Sequence, residues 1–210
     1  METSFKQEVF TIKKGEKSKK HIIEQSAMLM NQHGFLATPL SEIVEATGMQ
    51  KGGIYNHFKD KEELALLAFD QCCSVIQQYI EDALHLKTSG TDRIIAFIEV
   101  YSTFGENPTI PGGCPIMNAS IEADDGQSAK LLERAQSAMQ HLIHFLKDEI
   151  TGGIANKELR PDIDPQKTAT LIMSTIEGGI LLNKLFNDRF HITTVQNHLK
   201  DYIKNELSIN

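Results

Sequence analysis

Apolar residues recur at helical spacing along almost the whole chain, and no segment shows the strict alternation of a half-buried strand. This pattern restricts the 210 residues to an all-α fold in which helices bury their apolar stripes against one another. Residues that resist helix punctuate it: Gly34, Gly48, Asn107-Pro108, Pro111-Gly112-Gly113 and Gly152-Gly153. Between them the spacing predicts about nine helices, at 18–33, as a short pair within 38–58, and at 61–86, 91–105, 116–123, 128–151, 165–187 and 193–207. Thr38-Pro39 and Asp164-Pro165 each read as a capping side chain followed by proline in the first helical position. Asp60 with Glu63 reads as a capping box, and Thr193 or Thr194 as the cap of the last helix.

Charge is unevenly placed. The chain carries a formal −7, which by itself argues against a nucleic-acid partner. Residues 1–61, however, hold nine lysines against seven acids, while residues 62–210 hold twelve Lys or Arg against twenty-one acids. A mildly basic head on an acidic body suits a protein with one end facing phosphate. No run approaches the ~20 apolar residues needed to cross a bilayer, so no membrane partner is expected. The first residues lack the apolar core of a secretory signal. Cys72, Cys73 and Cys114 make no disulfide framework, and the expected compartment is the reducing cytoplasm.

The segment from Thr38 to Lys61, TPLSEIVEATGMQKGGIYNHFKDK, carries the functional signal. Two short helices flank a tight turn at Gly48-Met49-Gln50, the layout of a helix-turn-helix whose second helix enters the major groove. Gly48 supplies turn geometry that a Cβ resists. Ile43, Val44, Ile54 and Phe58 are placed to hold the two helices together. Lys51, Gly52 and Gly53 leave little bulk between backbone and DNA, and amides at such a helix start favour a phosphate. Gly48, the Lys51-Gly52-Gly53 start, Tyr55-Asn56-His57-Phe58 and Lys61-Glu62-Glu63-Leu64, in that order and spacing, resemble the DNA-binding signature of TetR-family regulators. The resemblance covers residues 18–67; the remainder agrees in length and helical character.

The resemblance implies an N-terminal three-helix DNA-binding domain followed by a helical ligand-binding and dimerisation domain: an arm at 1–17, a head at 18–64 and a body at 65–210. It implies double-stranded operator DNA as partner and a repressor that leaves its operator on binding an unidentified small molecule, with no enzymatic activity and no cofactor. Residue by residue, it places Gln50, Lys51, Gly52 and Asn56 nearest the base edges and Tyr55 and His57 on phosphates. Lys61 would reach a further phosphate, and Thr38 would cap the second helix and bond the DNA backbone. Gln50 and Gly53 stand where the family often has Ser or Thr, so a capping hydroxyl and one contact within this surface are missing.

One recognition helix reads few bases, so such heads work as dimers on half-sites about 34–36 Å apart. Apolar stripes suited to an interface run along Ala169, Ile172, Met173, Ile176 and Ile180, beside Gly178-Gly179, and along Val195, Leu199, Tyr202 and Ile203. Family members dimerise through a four-helix bundle from this part of the chain, which implies a homodimer through the helices at 165–187 and 193–207. The middle helices would enclose the effector, with Phe97, Tyr101, Phe104, Met117, Ile121, Phe145 and Met173 as candidate lining that serves equally well as plain core. A ligand acts only by favouring head positions that do not fit DNA, and the fourth helix is the expected route.

Two smaller constellations remain. Cys114 follows Gly112-Gly113 and precedes a helix start, where a thiol pKa can fall, so a redox or electrophile sensor acting through Cys114 is the alternative reading. His141, His144 and Asp148 share helical spacing suited to a metal, but their helix already has an apolar face at Leu142, Ile143, Leu146 and Ile150, so they are expected to face water and no metal site is assigned. No P-loop, dinucleotide fingerprint, Gly-x-Ser-x-Gly elbow or paired-cysteine zinc spacing supports an enzyme. A ligand carrier with a vestigial head would lack salt-dependent, sequence-specific DNA affinity.

Overall fold

A computed structural model describes residues 14–104, 110–124 and 127–209. The predicted Asn107-Pro108 break and most of the 1–17 arm lie outside the described residues. Nine α-helices are present among the described residues: α1 (Lys14–His33), α2 (Leu40–Thr47), α3 (Lys51–Tyr55), α4 (Lys61–Leu84), α5 (Gly90–Tyr101), α6 (Pro115–Ala123), α7 (Ala129–Ala155), α8 (Pro165–Phe186) and α9 (Phe190–Asp201). A widened turn, Tyr202–Leu207, continues α9, and no strand occurs among the described residues. The all-α expectation holds.

Most starts follow the residues predicted for them. Asp60 Oδ1 accepts from the Glu63 amide at 2.8 Å, and the Glu63 carboxylate reaches back to the Lys59 amide at 2.7 Å. Asp164 accepts from the Gln166 and Lys167 amides, with Pro165 in the first position of α8. Thr38 is a correction. Pro39 occupies the cap position of α2, and the Thr38 hydroxyl turns back to donate to the Gly34 carbonyl at 2.6 Å. Neither Thr193 nor Thr194 caps α9; Asp188 accepts from the Phe190 amide, so the helix begins three residues earlier than predicted.

Gly152-Gly153, expected as a break, is instead a stretch that α7 runs straight through to Ala155. Two glycines cost a helix interior about 1 kcal/mol each relative to alanine. Packing overrides that cost, because Ile150 is fully buried and a Cβ on Gly153 would lie 2.9 Å from Leu159 of the returning chain. The backbone of that return is also held, by Arg160 N to the Leu207 carbonyl and Ile209 N to the Glu158 carbonyl, both at 2.9 Å.

One continuous hydrophobic core runs from head to body. Helix α4 lies against α1 on one side and α5 and α7 on the other, while α7, α8 and α9 pack in succession. The predicted head–body boundary at 64/65 therefore falls inside a single helix, α4, whose Leu64, Ala65, Ala68 and Phe69 are all buried.

Candidate DNA surface, clefts and dimer face

The turn at Gly48 (φ +65°) ends α2 and starts α3. Thr47 fixes it, accepting from the Met49 amide at 3.2 Å and donating to the Ile43 carbonyl at 2.7 Å. Ile43, Ile54 and Phe58 fill the space between the helices, as their spacing predicts. What remains outside is one face: Gln50, Lys51, Gly52, Tyr55 (41% exposed) and Asn56 are exposed, with Gly53 and His57 half-buried beside them. Lys51 Nζ lies 6.0 Å from the centre of the Tyr55 ring, so cation and hydroxyl share one patch. A Cβ on Gly52 would meet nothing within 4 Å, leaving bare backbone outward.

Two expected DNA residues sit differently. Thr38 is fully buried with its hydroxyl engaged, so it offers nothing to a phosphate. The half-buried Lys61 donates to the Leu36 carbonyl at 2.6 Å and so ties down the corner between α1 and α2. Glu122 of α6 braces the same corner: its Oε1 accepts from the Leu36 amide at 2.9 Å and the Ala37 amide at 2.7 Å. A second tie joins body to head. Asn118 donates to both the backbone carbonyl and the side-chain oxygen of Asn31 at 3.0 Å, and Lys184 of α8 donates to Asn118 and to the Gly112 carbonyl. Neither of the ties made by α6 was legible in the sequence, since their partners lie 66–87 positions apart.

In the body, the candidate lining divides. Phe97, Tyr101, Phe104 and Met173 are solid core, the Phe97 and Tyr101 rings stacked at 5.4 Å and Phe104 set edge-on to Tyr101 at 5.5 Å. Ile121 is 68% exposed on the outer side of α6. These five are corrected: aromatic and large apolar residues at helical spacing close-pack before they line a void. Phe145 and Met117 do reach clefts. The first, about 670 Å³, lies between α4 and α7, floored by Ile80, Leu84, Leu142 and Phe145, with His85 and His141 among its polar groups. The second, about 450 Å³, lies between α6, α7 and α8 and includes Met117, Met139 and Glu177. Ile116 of α6 contributes to both. His144 and Asp148 are exposed, whereas His141 borders the first cleft, and no group of three metal-ligand side chains gathers among the described residues.

Cys114 caps α6 but is buried, which corrects the low-pKa expectation. Burial first, and the Glu177 carboxyl second, hold its thiol well above the ordinary cysteine range. Its sulfur donates to Glu177 Oε1 at 3.1 Å and lies 3.3 Å from the Tyr101 hydroxyl.

The predicted dimer stripes are also corrected. Ala169, Ile172, Met173, Ile176 and Ile180 are buried within the single chain, as are Leu199 and Ile203, while Val195 and Tyr202 are half-buried against the same core. A Cβ on Gly179 would meet Ile192 at 2.9 Å, so that glycine serves the packing of α8 on α9. The opposite face of α8 presents Leu171, Gly178, Leu181, Leu182 and Leu185 outward, with Leu171 and Leu185 57% and 67% exposed. Gly178, where a Cβ would meet nothing within 4 Å, lies midway along it.

A tight turn joining two short helices, a polar face on the second and an all-helical body define a helix-turn-helix DNA-binding protein. Residues 22–68 match the family described as bacterial regulatory proteins, tetR family, and residues 90–199 match the tetracyclin repressor-like C-terminal domain. A TetR transcriptional regulator from Chloroflexus aurantiacus is 34% identical and superposes with a TM-score of 0.89 over 95% of this chain and all of that one. A TetR-family regulator from Cytophaga hutchinsonii is 30% identical, with a TM-score of 0.85 over 95% of this chain and 99% of that one. The transcriptional repressor ComR of Escherichia coli is 27% identical over 160 residues, 74% of each chain. The chain belongs to the TetR family and is a helix-turn-helix transcriptional regulator.

Proposed function

We propose that the protein is a homodimeric repressor whose two α3 helices occupy successive major grooves of an operator, and that a small molecule in the body releases it. The continuous exposed face from Gln50 to Asn56 carries this reading, because it combines a cation, amide side chains and uncovered backbone at the start of a helix. Gln50, Lys51, Gly52 and Asn56 approach base edges, Gly53 adds backbone, and Tyr55 and His57 meet phosphates. Lys61 anchors the corner behind α2 and keeps two further N–H groups for a phosphate. ComR, a repressor by name, supports repression. Functionally the chain divides into the head at 18–64 and the body at 65–210, joined through α4.

The test is a gel-shift titration against DNA upstream of its own coding region. Lys51→Ala is expected to cost about 1–3 kcal/mol and to relax preference at one base position. Binding insensitive to salt, or equal on unrelated DNA, would refute operator recognition.

Effector coupling has a direct route beside α4. Helix α6 walls both clefts through Ile116, braces the α1–α2 corner through Glu122 and holds α1 through Asn118. An occupant that displaces α6 loosens the support of α2 and so the aim of α3. Glu122→Ala is expected to speed hydrogen exchange at the Leu36 and Ala37 amides about tenfold or more, as loss of charge-assisted bonds worth ~1.5–3 kcal/mol requires. Unchanged exchange there would remove α6 from the route.

A further inference from the structure

Glu177 is an acid on the face that α8 turns toward the core, and only 8% of it is exposed. Its Oε1 accepts two bonds, from the Tyr101 hydroxyl at 2.7 Å and the Cys114 thiol at 3.1 Å. Its Oε2 is buried and has no hydrogen-bond partner among the described residues. Buried polar atoms are nearly always paired, so an orphaned carboxylate oxygen marks a place where a donor is missing. Among the described residues, no lysine, arginine or histidine lines the cleft that Glu177 borders. Its walls are instead Ile116, Met117, Ala135 and Met139, with neutral Ser120 and two glutamines. Methionine sulfur and its flexible stem adapt to varied apolar shapes, aromatic rings included.

We propose that this cleft, of about 450 Å³, binds an amphiphilic organic amine in its protonated form. The ammonium N–H donates to Glu177 Oε2, and the apolar body lies against Met117, Met139 and Ile116. A neutral alcohol supplies the hydrogen bond without the charge, and a carboxylate of the same length faces a like charge. Tyr101 and Cys114 are positioning residues: by occupying Oε1 they leave Oε2 as the remaining acceptor. The binding assignment stands on the cleft alone; that the amine also frees the operator rests on the repressor reading above.

Calorimetric titration of the full chain with 4-phenylbutylamine, 4-phenylbutanol and 4-phenylbutyrate tests it. The amine is expected to bind at least about tenfold tighter than the alcohol, with the carboxylate weakest. Glu177→Gln keeps an acceptor for Tyr101 and Cys114, and should erase the amine preference while leaving the alcohol unchanged. Met139→Trp fills the cleft from α7 without altering Glu177, and should abolish binding of both. Equal affinity for all three probes, no amine binding at millimolar concentration, or an amine preference that survives Glu177→Gln overturns the proposal. If Glu177→Gln proves unfolded by circular dichroism, the wild-type series with Met139→Trp decides. Amine binding that leaves a gel-shifted operator complex intact supports the cleft assignment and refutes the effector reading instead.

Discussion

Gly112→Ala is expected to lower the thermal unfolding midpoint by roughly 10 °C at fixed protein concentration. The residue sits at φ +108°, and a Cβ there would lie 2.4 Å from the Asn31 carbonyl oxygen, 2.8 Å from its carbon and 3.0 Å from Gln32 Cα. All three are backbone atoms of α1, so no rotamer change relieves the clash. Nor is the loop free to retreat. Asn31 donates to the Pro111 and Gly113 carbonyls at 2.9 and 3.0 Å, and Asn118 and Lys184 both hold the Gly112 carbonyl. Unfavourable backbone conformation costs ~1–3 kcal/mol, and the overlap adds a comparable amount, for a total of about 3–4 kcal/mol. Gly52→Ala is the control, since nothing lies within 4 Å of its Cβ; its midpoint should stay within about 2 °C. Equal midpoints for the two variants, followed by calorimetry, would show that the 110–113 loop does not approach α1 this closely.

Replacing both Leu171 and Leu185 by glutamate is expected to convert the protein to a monomer and to weaken operator binding by about two orders of magnitude or more. Leu171, Gly178 and Leu185 repeat every seven residues along the outer face of α8, with Leu182 between the last two. Soluble monomers seldom leave such a row of leucines uncovered. In a two-fold dimer each substitution appears twice, so four carboxylates would enter one desolvated surface. Sedimentation velocity reads the mass and a gel shift reads the operator, while far-ultraviolet circular dichroism confirms that the helices persist. A double variant that sediments as a dimer would place the interface elsewhere.

The head was more legible than the body. Its turn glycine, its packing residues Ile43, Ile54 and Phe58, and the exposure of Lys51, Tyr55 and Asn56 follow from spacing within two dozen positions. Thr38 departs from expectation because the chain puts Pro39 in the cap position of α2, leaving Thr38 one residue outside the helix with its hydroxyl donating to the Gly34 carbonyl. Helix α8 departs for a more instructive reason. Both of its faces are apolar enough to bury, and only the neighbouring α7 and α9 decide which one is core. Glu177 was the available clue: an acid inside the stripe Ala169–Ile180 signals a buried partner, though not that the partner is Tyr101.

The amino-acid order alone determined that the chain is helical, where most helices start, and that its first quarter holds a helix-turn-helix. These are consequences of local rules, because caps, prolines and apolar periodicity act over one or two turns. Only the tertiary structure decided which stripe of α8 faces inward, that Cys114 is a buried donor to Glu177, and that α6 braces the head through Glu122 and Asn118. Those outcomes depend on which helix surfaces meet, where desolvation and packing outweigh any preference a short segment carries.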